Sequence, residues 1–346
     1  MKGTKGDQFT KAMIERILKE GTWDKNPRPH YEDTYNGIYY PLDRTIVTTD
    51  NKVIELQDNQ TIARDDNGII QVNTPAHTLS INHAEVTYDL HNGESPLTTL
   101  RPIATQTSWA EILWIYQQES NDLVTFDKLL GKNTWVTDEE IFNWWKKWAL
   151  RNPDGSYKLN RKGHPYIGAC YGGTVHDHKL MKNFMREMAE DPDSRRHQID
   201  LWQVDDFRKP HALKPCAFLT EWNVRHEKDG KDYLDLKLVQ RSSDFMTAGC
   251  INQIQYVEFL YAIARHFGYK VGRFTWSVDN VQIYDRHINQ AKEILEREPI
   301  DCAPAIWVNE AKDDFYDLTP QDVKVVNYPR EKILKKNPQV DLPLAV

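Results

Sequence analysis

Residues 213–244 read LKPCAFLTEWNVRHEKDGKDYLDLKLVQRSSD, and the reading of this stretch decides the fold. Phe218 to Arg225 and Tyr233 to Gln240 alternate with the period of strands, and Asp229-Gly230 between them is a turn signal. A hairpin closed there sets positions summing to about 457 to 459 opposite each other. Cys216 then faces Arg241 at roughly 5 Å between Cα atoms. A guanidinium beside a thiol favours the thiolate, the nucleophilic form. Ser242 and the run Asp193-Ser194-Arg195-Arg196 add directed donors suited to an anion. The stretch predicts covalent chemistry on a phosphorylated substrate.

The composition fits a soluble enzyme. With 346 residues, 40% of them hydrophobic and 11% aromatic, the chain can bury a large core. A net charge of -7 argues against broad binding to DNA, RNA or an anionic membrane, so the arginines read as a local pocket. No apolar run reaches a membrane span and the polar N-terminus lacks a signal-peptide core, which makes the cytoplasm the expected compartment. Cys170, Cys216, Cys250 and Cys302 lie far apart without paired ligand spacing, so no metal is expected.

Phe9, Met13, Ile14, Ile17 and Leu18 have helical spacing and Gly21 is a stop. Between about 24 and 72, short β-prone runs such as Thr45-Ile46-Val47 and Lys52 to Leu56 alternate with turn signals and predict a β-rich insertion. Ser108 to Gln117, Leu180 to Ala189 and Ile254 to Phe267 read as helices, and Gln198 to Val204 as a strand. Asn252, just before the pattern that begins at Gln253, has a simple structural use as that helix's N-cap. Its amide can also accept from and donate to a ligand at the same time.

The motifs occur in a telling order: Thr74-Pro75-Ala76-His77-Thr78-Leu79-Ser80, Glu111-Ile112-Leu113-Trp114, Tyr171-Gly172, Ser194-Arg195-Arg196, Pro215-Cys216, Gln240-Arg241-Ser242-Ser243-Asp244, Asn252, Ile283-Tyr284 and Leu344-Ala345-Val346. In this order the chain resembles the folate-dependent thymidylate synthase family, in a variant of some bacilli and their phages. The resemblance implies an α/β (α+β) fold, one catalytic domain over 1–346, with a large mixed sheet flanked by helices and dimerised sheet to sheet. It implies reductive methylation of dUMP with 5,10-methylenetetrahydrofolate.

The resemblance also assigns roles. Cys216 would be the nucleophile, with Glu111, Asn252 and Arg241 completing the catalytic set. Arg195 and Arg196, reaching into the partner subunit, would join Gln240, Arg241, Ser242, Asp244, Asn252, Gln282 and Tyr284 around the nucleotide. Trp145, Trp148, Leu213, Asp244, Ala248 and the Val346 carboxylate would face folate. The chain departs from the family pattern at Ala217, Gln282, Ala248 to Ile251 and Asp279-Asn280, and Arg64 is the candidate for an N-terminal phosphate arginine. The nearest alternative is a dUMP or dCMP hydroxymethylase on the same scaffold, in which water traps the methylene. A relative without catalysis, binding RNA or serving as structure, is the alternative from another class.

Overall fold

Alternation along three long strands builds the centre of the molecule. The computed structural model describes residues 3–25, 76–132, 143–152 and 156–342, with the backbone of six short strands between 32 and 73. Six strands, β1 (Thr22–Trp23), β2 (Thr78–Asp89), β3 (Gln198–Asp200), β4 (Ala217–His226), β5 (Asp232–Asp244) and β6 (Lys270–Tyr284), form one sheet in the order β1-β2-β6-β5-β4-β3. β5 and β6 run parallel and every other neighbouring pair runs antiparallel, so the sheet is mixed. Leu234, Leu236, Leu238 and Gln240 of β5 are buried, as are Phe274, Trp276 and Val278 of β6. The residues between them, such as Lys237 and Thr275, point to the less covered face, as the two-residue period requires.

A parallel pair needs a crossover, and here it is the long helix Cys250–Phe267. Its Ile254, Val257, Leu260, Ile263 and Ala264 are fully buried, each large aliphatic contributing roughly 1.5–3 kcal/mol by leaving water. The first helix, Lys5–Glu20, starts at a capping box between Thr4 and Asp7 and stops at Gly21. It packs Met13, Ile14 and Ile17 into the same core.

The hairpin register follows the sequence reading with one refinement. His226 to Leu219 pair at a constant sum with Asp232 to Val239, and a bulge at Phe218 then shifts the pairing so that Ala217 faces Gln240. The bulge brings Cys216 opposite Arg241, whose backbone N–H donates to the Cys216 carbonyl at 3.0 Å. Gly230 closes the turn at φ +73, a conformation open to glycine at little cost.

Three expectations are corrected. The predicted strand from Gln198 to Val204 ends at Asp200, because the Asp200 side chain accepts from Trp202 N–H at 2.7 Å and turns the chain. The crossover helix begins at Cys250, so Asn252 lies inside its first turn and is not its cap. The Ser108–Gln117 helix is α-helical over Thr105–Ile112 and widens to a π-turn over Leu113–Gln117. Between 24 and 72 the described strands form three two-stranded pairs separate from the main sheet. Among the described residues no helix is long and apolar enough to cross a membrane.

Candidate active site

The site lies where β5 ends and the crossover helix begins. Cys216 is partly exposed there, and its Sγ receives Arg241 Nη2 at 3.5 Å and Ser242 Oγ at 3.6 Å. Arg241 is itself aimed by the chain that carries the cysteine: Nε donates to Pro215 O at 3.0 Å and Nη2 to Lys214 O at 2.8 Å. Its guanidinium also lies 5.9 Å from the Trp202 ring centre. The backbone N–H of Cys216 donates to Tyr171 Oη at 3.4 Å. Tyr171 holds φ +47, a strained backbone for a tyrosine that costs about 1–3 kcal/mol. Gly172 follows it against the Ser120 backbone, where a Cβ would meet Ser120 O at 2.0 Å.

The other three cysteines differ. Cys170 and Cys250 are buried, and desolvation pushes their thiols up to about 12 and about 11. Burial likewise raises Cys302 to about 11. All three are biased toward the unreactive thiol.

A one-way chain of hydrogen bonds passes through the base-reading candidate toward the buried acid. Trp276 Nε1, which can only donate, donates to Gln240 Oε1. That leaves Gln240 Nε2 to donate to Asn252 Oδ1 at 3.3 Å, and Asn252 Nδ2 to donate to Gln255 Oε1 at 3.0 Å. Gln255 in turn helps to lower the pKa of the Glu111 carboxyl. Asn252 keeps one acceptor lone pair and one N–H for a ligand. Burial pushes the Glu111 carboxyl up to about 8, against the pull of hydrogen bonds from Trp145, Gln255 and Trp144. The Trp145 indole reaches Glu111 Oε1 at 3.0 Å.

Trp145 and Trp148, on the short 3-10 helix Trp144–Trp148, form an aromatic wall beside Tyr171, with ring centres 5.7 Å apart and Trp145 5.1 Å from Tyr171. Leu213 packs partly buried against the core. Asp244 accepts from Thr247 N–H at 3.4 Å and its carboxyl is pushed up by burial. Ala248 sits in the π-turn Phe245–Gly249. Gln282 pairs with Asp244 across β5 and β6, and Tyr284, near the end of β6, has its ring 5.8 Å from His287. Indoles and a buried carboxylate suit a flat heterocycle with N–H donors such as a pterin.

Arg195 and Arg196 do not join this cluster. They are exposed in the loop before β3, and neither makes an ion pair with a described residue. Gln198 pairs with Glu221, which sets Arg196 level with Asn223. That is about seven residues, roughly 23 Å, along β4 from Cys216. Val346 lies outside the described residues, and of Arg64 only the backbone is described.

The sequence reading overlooked Gln255, Trp276 and Trp202, none of which carries a local signal. Tyr171 was visible as a motif, and its odd conformation is foreshadowed by the Gly172-Gly173 that follows. Among the described residues no group of three His, Cys, Asp or Glu could hold a metal ion.

Known proteins resemble this chain along nearly its whole length. The thymidylate synthase family model matches residues 56–340. The thymidylate synthase of Streptococcus thermophilus is 32% identical over 99% of this chain and 100% of its own length. That of Streptococcus mutans is 33% identical over the same shares. The solved structure of thermostable thymidylate synthase A from Bacillus subtilis superposes with a TM-score of 0.70 at 26% identity, covering 99% of both chains.

Proposed function

This chain belongs to the thymidylate synthase family, and from that premise we propose how its own residues convert dUMP to dTMP. The observation that carries the proposal is the Cys216 thiol set between Arg241 and Ser242, with the Gln240–Asn252–Gln255 chain and the buried Glu111 beside it. Uracil C5 is a poor nucleophile until a thiolate adds to C6 and moves an electron pair onto C5. Cys216 Sγ makes that bond. C5 then attacks the methylene carbon supplied by 5,10-methylenetetrahydrofolate and gives up its proton. The folate amine departs, hydride from the folate reduces the methylene on C5, and Cys216 leaves, giving dTMP and dihydrofolate.

The chain's residues serve each stage. Asn252 has one acceptor and one donor left, which match uracil N3–H and O4, while Gln240 and Gln255 hold its amide in that orientation. Glu111, largely protonated near neutral pH, can donate toward O4 as charge gathers there and recover the proton when the thiolate leaves. Asp244 and the Trp145–Trp148 wall would hold the pterin and keep water from the methylene. Gln282 and Tyr284 would face the ribose, and Leu213, Ala248 and Val346 would border folate. The chain acts as a single catalytic domain, with the strands of 24–72 as an insertion paired only among themselves.

A homodimer packed through the less covered sheet face completes the site. Arg195 and Arg196, too far from their own Cys216 and free of described ion partners, would then bind the phosphate in the partner's pocket. Incubation with 5-fluoro-dUMP and methylenetetrahydrofolate tests the reaction, since fluorine cannot leave C5 as a proton does. Mass spectrometry should find a ternary adduct on Cys216. With dUMP, chromatography should find dTMP and dihydrofolate in equal amounts. Mainly 5-hydroxymethyl-dUMP with unoxidised tetrahydrofolate would establish the hydroxymethylase instead.

A further inference from the structure

His226, the last residue of β4, stands between two carboxylates. Nδ1 lies 2.6 Å from Asp232 Oδ1 at the start of β5, and Nε2 lies 2.7 Å from Asp193 Oδ1 in the loop after the helix Leu180–Glu190. An ionised carboxylate only accepts, so both ring nitrogens must donate, and the ring that satisfies both is the imidazolium. The hydrogen bonds it donates to Asp232 and then to Asp193 raise the pKa of His226 above its ordinary value.

Asp193 opens the run that carries Arg195 and Arg196. The other side of that run is tied where Trp222 N–H donates to His197 O at 2.9 Å. The arginine loop is thus pinned to β4 at two points, by backbone at Trp222 and by charge at His226. Tyr269, before β6, also faces the two aspartates. Its pKa is raised by burial first and by Asp232 and Asp193 next. Arg225 and Glu227, on either side of His226 in the chain, pair with each other.

We infer that His226 is a positioning residue for Arg195 and Arg196, its imidazolium holding their loop in the shape that presents both guanidiniums to a nucleotide phosphate. The inference rests on the reading above that these arginines bind the phosphate of dUMP. When the ring loses a proton, one nitrogen confronts a carboxylate with lone pair against lone pair. Asp232 is fixed by pairing with His226 in the sheet, whereas Asp193 sits in a turn, so the loop is the part that gives way. The clamp is in place below the ordinary histidine value and is lost as pH rises through the raised one.

The test is steady-state kinetics with the full-length protein from about pH 7 to about pH 9, separating KM for dUMP from kcat. The parent's KM should rise about threefold with pH while kcat is unaffected by this group. His226→Gln should show the raised KM already at the lowest pH and a flatter profile. Asp193→Asn should behave likewise and serves if His226→Gln folds poorly. His226→Arg, able to donate to both carboxylates at every pH, should restore a low KM without the pH step. In an Arg195→Ala/Arg196→Ala background, where dUMP affinity is read by binding calorimetry in place of KM, His226→Gln should add nothing. A His226→Gln profile identical to the parent's would overturn the inference. An Arg195→Ala/Arg196→Ala chain that binds dUMP as tightly as the parent would instead remove the phosphate reading beneath it.

Discussion

At one end of β4, Cys216 sits among donors already aimed at it, Arg241 and Ser242 among them. At the other end, Arg195 and Arg196 stand exposed beside a strand that offers them no described ion partner. The first end has its side chains fixed by hydrogen bonds before any ligand arrives, so ligand binding there costs little ordering. The second end presents long cationic side chains that lose freedom only when an anion meets them. On the function proposed above, bond making belongs to the first end and capture of the phosphate to the second.

Cys216→Ala should produce the largest effect. It removes the proposed nucleophile for C6, so turnover should fall by at least about 10⁴-fold while dUMP binding persists. Tritium release from C5-labelled dUMP and binding calorimetry would check both halves. An adduct with 5-fluoro-dUMP surviving in this variant would break the assignment of chemistry to this end.

Glu111→Gln should lower kcat by about 10²- to 10⁴-fold, since an amide cannot move the proton. The same variant sharpens the picture of a desolvated site through stability. Because the folded carboxyl titrates near 8 against an ordinary 4.5, the folded chain binds more protons between those values. The contribution of Glu111 to stability is therefore fully present below about 4.5 and lost as pH rises through about 8, on the order of 5 kcal/mol at the limit. In urea titrations, Glu111→Gln should gain stability relative to the parent as pH rises over this range. Equal pH slopes in both proteins would mean that Glu111 is hydrated.

Asn252→Asp should give a smaller change, read as selectivity. It removes the donor to O4, and a protonated carboxyl could serve cytosine instead. dUMP activity should fall by roughly 10²-fold relative to dCMP activity, measured by competition. Equal losses for both nucleotides would reduce the Trp276–Gln240–Asn252–Gln255 chain to a structural device.

Much of the first end was legible in the sequence because a hairpin is local. Asp229-Gly230 and the alternation about it give the register, and the register gives Cys216 beside Arg241. The Phe218 bulge was not legible, since the twist that favours it belongs to the assembled sheet. Asn252 as a cap was a plausible local reading. It failed because the helix gains a turn from Cys250, which is buried and donates to Pro96 O at 3.4 Å far away in the chain. Trp276, Gln240 and Gln255 meet through three separate elements, and no spacing announces such a meeting. At the second end, adjacent arginines look alike whether they are idle on a surface or waiting for phosphate, and only their distance from Cys216 along β4 separates these cases.

The division of labour between the two ends is tested most directly by mixing two inactive chains. Cys216→Ala retains its arginines and Arg195→Ala/Arg196→Ala retains its cysteine. After verified subunit exchange, a mixed dimer that shares sites across subunits contains one complete site. The account predicts partial recovery of dTMP formation, up to about a quarter of the parent's activity for equal mixing of the chains. No recovery from chains that demonstrably exchange would place the arginines and the cysteine of each site in one subunit and contradict the account.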